Sequence, residues 1–106
     1  MAKYLFHVSY TADGAKGLMK DGGSKRQQAA KGLIESLGGK LEGFYFAFGE
    51  TDAYVIADLP DAAAAAAGSL AISSTGAATG RTTVLITPEE MDHATKKSTR
   101  YKAPGR

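Results

Sequence analysis

The chain has no cysteine, no tryptophan and only three prolines among 106 residues. Without cysteine, it cannot form disulfides, thiolate nucleophiles or cysteine-ligated zinc and iron–sulfur clusters. It has two histidines, and no His, Asp or Glu residues fall at metal-site spacing, so we expect no metal. No apolar run approaches the roughly 18 residues of a membrane span. The sequence starts directly in a strand pattern, so we expect a cytoplasmic protein with no membrane partner.

The composition fits one small globular domain. Apolar residues make up 43% and charged residues 23% of the chain, which is ordinary for such a domain. The net charge of +2 conceals an asymmetry, because the last eleven residues hold five of the 13 basic side chains and none of the 11 acidic ones. We therefore predict a single domain over residues 1–95 and a basic tail over 96–106.

The basic tail could bind one of three surfaces: the mildly acidic body of its own chain, a partner subunit, or another macromolecule. Nucleic acid is disfavoured, because only Tyr101 supplies an aromatic ring among the basic residues of the tail.

Hydrophobic periodicity predicts four strands and several helices. Tyr4 to Tyr10 alternate strictly, with Phe6 and Val8 on one side and His7 on the other, which is the period-2 pattern of a strand. Strands are expected over 4–10, 41–48, 53–58 and 77–87. Helices are expected over about 12–20, from 24 to the glycine pair at 38–39, from 60 to about 73, and for about ten residues from 88.

Turn and capping residues support these boundaries. Thr11 is expected to cap the first helix, and capping boxes are expected at Ser24 with Gln27 and at Thr87 with Glu90. The third helix contains six consecutive alanines, which favour helix and let it pack close to a sheet.

The predicted order is β-α-β-β-α-β plus a C-terminal helix, which is the ferredoxin-like α+β arrangement. Two helices would cover one face of a four-stranded antiparallel sheet. The other face would carry Leu5, Leu85 and either Leu41 or Tyr45, and such a face is too apolar to remain in water. We therefore predict that two sheets meet face to face in a homodimer or a higher homo-oligomer.

A series of short motifs, taken in order, resembles the GYD-domain family. The motifs are Ser9-Tyr10-Thr11-x-x-Gly14, Gly38-Gly39-Lys40-Leu41, Phe44-Tyr45-Phe46, Gly49-x-x-Asp52, Leu59-Pro60-Asp61 and Thr87-Pro88-Glu89-Glu90-Met91-Asp92. The resemblance covers nearly the whole chain. It departs at one position, because Thr51 stands where the family's Gly-Tyr-Asp run has tyrosine. The nearest phenol is Tyr54, in the following strand.

The family is similar to the dimeric α/β-barrel superfamily, which includes cofactor-independent monooxygenases, haem-degrading enzymes, lyases and ligand-sensing domains. The resemblance thus implies a dimeric α/β barrel, whereas a fold alone does not imply a function. We expect no cofactor. Haem on His7 is the one alternative that the superfamily implies.

Three side chains are candidate catalytic residues. His7 can act as a general base or ligand, or can form a structural hydrogen bond in the dimer interface. Tyr45 can orient a substrate by hydrogen bonding, although buried tyrosines often find a partner for structural reasons alone. Arg81 can hold a carboxylate or phosphate, or pair with an acidic residue such as Asp58.

Three further side chains are candidate ligand-binding residues. Tyr54 flanks the same hairpin as Tyr45 and can act in the same way. Asp52 can bind a ligand or cap its own turn. Arg26 lies near the start of the second helix, where a cation does not favour the helix dipole, so it can instead pair with an acid or bind a ligand.

Two functions follow from these residues. The first is a small-molecule-binding protein or cofactor-independent enzyme. Its pocket would lie between helices and sheet or between two sheets, and the ligand would be small and apolar or aromatic. If it is an enzyme, His7 would take a proton and Arg81 would hold the resulting anion during oxygenation or isomerisation. The second is a non-catalytic structural or regulatory dimer whose basic tail contacts another macromolecule.

Overall fold

The computed structural model describes all 106 residues as four strands and four helices. In chain order, the elements are β1 (Ala2–Tyr10), α1 (Ala12–Asp21), α2 (Gly23–Ser36), β2 (Lys40–Phe46), β3 (Ala53–Leu59), α3 (Ala62–Ser74), β4 (Ala78–Leu85) and α4 (Pro88–Thr95). None of the helices is both long and apolar enough to cross a membrane.

The strands form one antiparallel sheet in the order β2-β3-β1-β4. β1 lies in the middle and pairs with β3 on one side and β4 on the other. This order, with its helical crossovers, is the ferredoxin-like arrangement. The predicted α+β fold class is therefore confirmed.

The core lies between the sheet and the helices α2 and α3. Phe6 and Val55 from the sheet, Ile34 from α2 and Ala65 from α3 are all buried. Full burial of a side chain such as Phe6 contributes about 1.5–3 kcal/mol to stability. The opposite side of the sheet carries no helix layer, and we call it the open face.

A β-bulge in β2 changes which of its side chains reach the open face. Leu41 pairs with Ala57 and Tyr45 pairs with Tyr54, and the register shifts between Leu41 and Gly43. The extra residue turns Leu41 to the helix side, where it packs against the core. Of the two residues expected on the open face, the structure therefore places Tyr45 there and not Leu41.

The helix caps agree with prediction at α1 and α4 but not at α2. Thr11 caps α1, and Thr87 with Glu90 forms the capping box of α4. The predicted box at Ser24 is wrong, because α2 begins one residue earlier, after Gly22, and has no side-chain cap. The positive φ of 81° at Gly22 explains this, since glycine can turn the chain directly from α1 into α2.

Gly14 lets α1 approach the loop before β4 at backbone distance. A Cβ atom built on Gly14 would lie 1.9 Å from the carbonyl oxygen of Ala77. The same carbonyl accepts a hydrogen bond of 2.9 Å from the backbone N–H of Thr11. The start of α1 is thus fixed against the end of the α3–β4 connection.

Gly14→Ala should destabilise the protein by about 1–3 kcal/mol, because the new methyl group must displace backbone. Gly17→Ala is the matched control: it lies in the same helix, and no atom approaches its Cβ position within 4 Å. It should stabilise the protein by roughly 0.5–1 kcal/mol through helix propensity. Urea denaturation measures both changes. Equal effects of the two substitutions would contradict the close approach at Gly14.

The helix α4 and the residues that follow it extend away from the body. Every residue from Pro88 to Lys102 is exposed, and α4 buries none of its side chains. The radius of gyration is 16.8 Å, against about 13 Å for a compact domain of this length. No ion pair joins the basic tail to the acidic body. Within one chain, the tail therefore does not bind the body through its charges.

Candidate functional site

Four of the predicted site residues lie in one row across the open face. Tyr45 pairs with Tyr54, Tyr54 with His7, and His7 with Arg81, so the row crosses all four strands. Alternation along β1 places His7 opposite the buried side chain of Phe6. The expected orientation of His7 is therefore what the structure shows.

His7 is held by its neighbours in this row. Its Nε2 shares a hydrogen bond of 3.0 Å with the hydroxyl oxygen of Thr83. Its ring meets the ring of Tyr54 edge to face, with 5.4 Å between centroids. Its Nδ1 is buried without a partner, so it has capacity for one more hydrogen bond.

The row is open on its outer side. Tyr45 is 65% exposed. Arg81 is also exposed and forms no ion pair within the chain. Within one chain, a small molecule on the row would have few contacts and would stay in water.

Asp52 lies outside the row and forms hydrogen bonds with backbone groups of β1. Its carboxylate accepts a hydrogen bond of 2.8 Å from the backbone N–H of Tyr10. Its own N–H donates to the carbonyl of Val8 at 2.9 Å. Both bonds join the β2–β3 connection to the end of β1. The expected local cap of its own turn is thus replaced by a link to a distant strand.

Three charged side chains form a cluster at one end of the open face. Lys3 donates to Asp58 at 3.1 Å and also to the carboxylate of Glu42. The hydrogen bond from Lys3 holds the pKa of Asp58 below its usual value. In turn, the hydrogen bonds to Glu42 and Asp58 raise the pKa of Lys3.

Lys3→Met should raise the pKa of Asp58, because the largest cause of its lowering is removed. In the native chain, the ionised form of Asp58 contributes stability above about pH 4, and this contribution is lost as the pH falls through its lowered folded-state pKa. In Lys3→Met, the pH dependence of unfolding in this acid range should flatten. An NMR titration of the Asp58 carboxyl carbon measures the shift. Lys25→Met is the control, and an unchanged Asp58 pKa in Lys3→Met would contradict the contact.

A predominantly apolar cavity lies on the other side of the sheet. It has a volume of about 280 Å³ and opens between α2 and α3 above the central strands. Fourteen of its seventeen lining residues are hydrophobic. Representative walls are Phe6, Val8, Leu33, Phe44, Val55 and Ile72. Such a surface suits an apolar ligand.

Arg26 is the only charged residue that lines this cavity. The nearest carboxylate oxygen, from Asp21, is 3.9 Å from its guanidinium group. Arg26 thus has an acidic partner in a long ion pair, at a distance beyond that of a hydrogen bond. Of the six predicted site residues, Arg26 alone lines the cavity. The structure thus separates Arg26 from the row that contains His7.

The structure also identifies lining residues that sequence patterns did not indicate as functional, among them Tyr10, Val55 and Ile72. Each falls on the apolar side of a regular element, where sequence alone indicates core packing. The one available signal is the run of alanines and glycine in α3, whose small side chains leave space opposite large ones.

No group of three or more His, Cys, Asp or Glu residues is placed to hold a metal ion. His7 and the cavity lie on opposite faces of the sheet, so His7 could not ligate a haem held in the cavity.

A scan of protein families matches the GYD domain over residues 4–95. The chain belongs to the GYD-domain family. The match runs from Tyr4 in β1 to the end of α4, so the GYD domain includes the helix that projects from the body. Comparisons with curated proteins and with solved structures each find no significant match.

Proposed function

We propose that this GYD domain is a small-molecule-binding protein whose ligand occupies the cavity between α2, α3 and the sheet. The observation that supports this most strongly is the cavity itself. Its volume of about 280 Å³ is near the lower end of ordinary ligand pockets. Its walls come from both helices and from all four strands, so it is a feature of the whole fold.

An empty apolar cavity has an energetic cost that a ligand would remove. Protein interiors are close-packed, and the lining of a void loses dispersion contacts on one side. An apolar ligand would restore these contacts for Phe6, Leu33 and Ile72, which face the space. The smallest suitable ligands are aromatic or short aliphatic compounds.

Catalysis by His7, Tyr45 and Arg81, with Tyr54 beside them, stays a prediction. The four side chains are neighbours in the sheet, which favours a shared role. However, proton transfer to His7 would require a second surface that covers the open face and excludes water. Ligand binding in the cavity does not depend on these residues.

Ala71→Phe should fill the cavity and weaken the binding of a neutral aromatic probe, indole, at least tenfold. Ala71 lines the cavity from α3, and its replacement by phenylalanine would occupy the space of the ligand. NMR titration with indole measures affinity and reports which methyl groups shift. In the native chain, the shifts should centre on Leu33 and Ile72.

Ala67→Phe is the matched control, because Ala67 lies one turn earlier in α3, is exposed and does not line the cavity. It should bind indole like the native chain. Equal binding by the two variants, or no binding of indole to the native chain, would contradict the proposal.

A second candidate function is a non-catalytic structural or regulatory homodimer whose basic tail contacts another macromolecule. The open face favours it, because Leu5, Tyr54 and Ile56 are only half-buried there and no helix covers them. The projecting α4 and tail also favour it, since they have no packing partner within the chain. A face-to-face dimer is compatible with the cavity function as well.

Ile56→Glu should convert a dimer to a monomer, because a carboxylate in the middle of the open face would lose its hydration in the interface. Light scattering after size-exclusion chromatography should give about twice 11.0 kDa for the native chain. The variant should elute as a monomer, with dimer affinity at least about a hundredfold weaker.

Val84→Glu is the control for this dimer test. Val84 belongs to β4, points to the opposite side of the sheet and is already exposed. It should remain dimeric. A monomeric native chain would exclude the face-to-face dimer, and loss of the dimer in both variants alike would place the interface elsewhere.

A further inference from the structure

We propose that the ligand of the cavity is an amphipathic carboxylate, with an apolar body among the hydrophobic walls and its carboxylate bound by Arg26. This inference rests on the proposed function and specifies its ligand class. It combines two observations, an apolar cavity and a single cation on its lining.

The guanidinium of Arg26 is available to a ligand. The nearest carboxylate, on Asp21, is 3.9 Å away, and Arg26 makes no hydrogen bond to any side chain. Arginine presents its N–H groups as a planar fork that fits the two oxygens of a carboxylate. Its side chain is 40% exposed, so Arg26 belongs to the mouth of the cavity and not to its floor.

The local electrostatics of α2 also favour an anion at this mouth. Arg26 lies in the first turn of α2, which has no acidic residue and no side-chain cap. Asp21, the last residue of α1, supplies the one carboxylate near Arg26, at 3.9 Å. The positive end of the helix dipole and the two adjacent cations, Lys25 and Arg26, are therefore compensated only in part within the chain. A bound carboxylate would add a second negative charge, in direct contact with Arg26.

The few hydrogen-bond donors in the lining favour a ligand with one negative charge over a more highly charged one. The hydroxyl of Thr75 already donates to the carbonyl of Ile72 at 2.8 Å and accepts from the N–H of Ala77 at 3.1 Å. The phenol of Tyr10 is a second candidate donor. One guanidinium and one phenol match a carboxylate, whereas a phosphate dianion calls for more than one cation in the lining.

The basic tail is a poor alternative occupant. It carries five cations, and its entry into a cavity with Arg26 at the mouth would bring like charges together. An acidic side chain from another protein would satisfy Arg26, but it would leave most of the apolar walls uncovered.

The test compares carboxylates with their neutral amides. The probes are benzoate, 3-phenylpropionate and 4-phenylbutyrate, each paired with its near-isosteric primary amide. Isothermal titration calorimetry should show that the best acid binds at least about tenfold more tightly than its amide, as expected for a charge-assisted hydrogen bond. The preference should fall as salt concentration rises, because the guanidinium is partly exposed.

Arg26→Met should remove the preference for the acid, so that each acid and its amide bind the variant with similar affinity. Arg26→Lys should restore only part of it, because lysine keeps the charge but not the fork. Lys25→Met is the matched control: it removes one positive charge from the same turn of α2 at a residue that does not line the cavity. Circular dichroism verifies that each variant is folded.

The outcomes separate the two proposals. If acids and amides bind the native chain equally, the cavity binds ligands but Arg26 does not select carboxylates, and the inference is wrong. If neither binds, the proposed function fails with it. If Lys25→Met abolishes the preference for the acid as fully as Arg26→Met does, the preference arises from the positive charge of this region and not from a contact with Arg26, and the inference is wrong.

Discussion

The strict alternation of side chains along β1 is the constraint on which both faces of this protein depend. β1 is hydrogen-bonded to β3 and β4 along its length, so it cannot rotate or slip independently. A shift of register by one residue would move Phe6 into water and His7 into the core. The apolar side of β1 therefore forms the floor of the cavity, while its other side supplies His7 to the row on the open face.

The cavity exists because the small side chains of α3 do not fill the space next to the larger side chains of α2 and the sheet. At Gly68, α3 lies close to the sheet: a Cβ atom there would meet Leu37 at 3.3 Å and Phe6 at 3.8 Å. Around Ala71, the small side chains leave a space that the larger residues of α2 do not fill. The small side chains of α3 thus allow close packing at Gly68 and leave an open cleft one turn later, at Ala71.

The two faces of the sheet differ in how they are covered within the chain. The helix face has its own core and a cavity with one cation at its mouth. The open face has half-buried apolar side chains, a charged cluster and a row of hydrogen-bonding groups, but no layer above it. The open face, the projecting α4 and the basic tail thus share one property, since none of them is covered by another part of the chain. The proposed ligand and the proposed second subunit would lie on opposite sides of one sheet.

Local pattern determined most of the fold: period-2 alternation defined the strands, hydroxyl caps marked the starts of α1 and α4, and the element order specified the ferredoxin-like sheet. It also indicated that His7 would oppose Phe6. Only the tertiary structure decided where Leu41 points, because a β-bulge depends on pairing with a second strand. It also decided that Arg26 lines the cavity while Asp52 holds the end of β1. The physical reason is that the cavity walls come from segments between Phe6 and Ala78 that are distant in sequence, so no local pattern contains their juxtaposition.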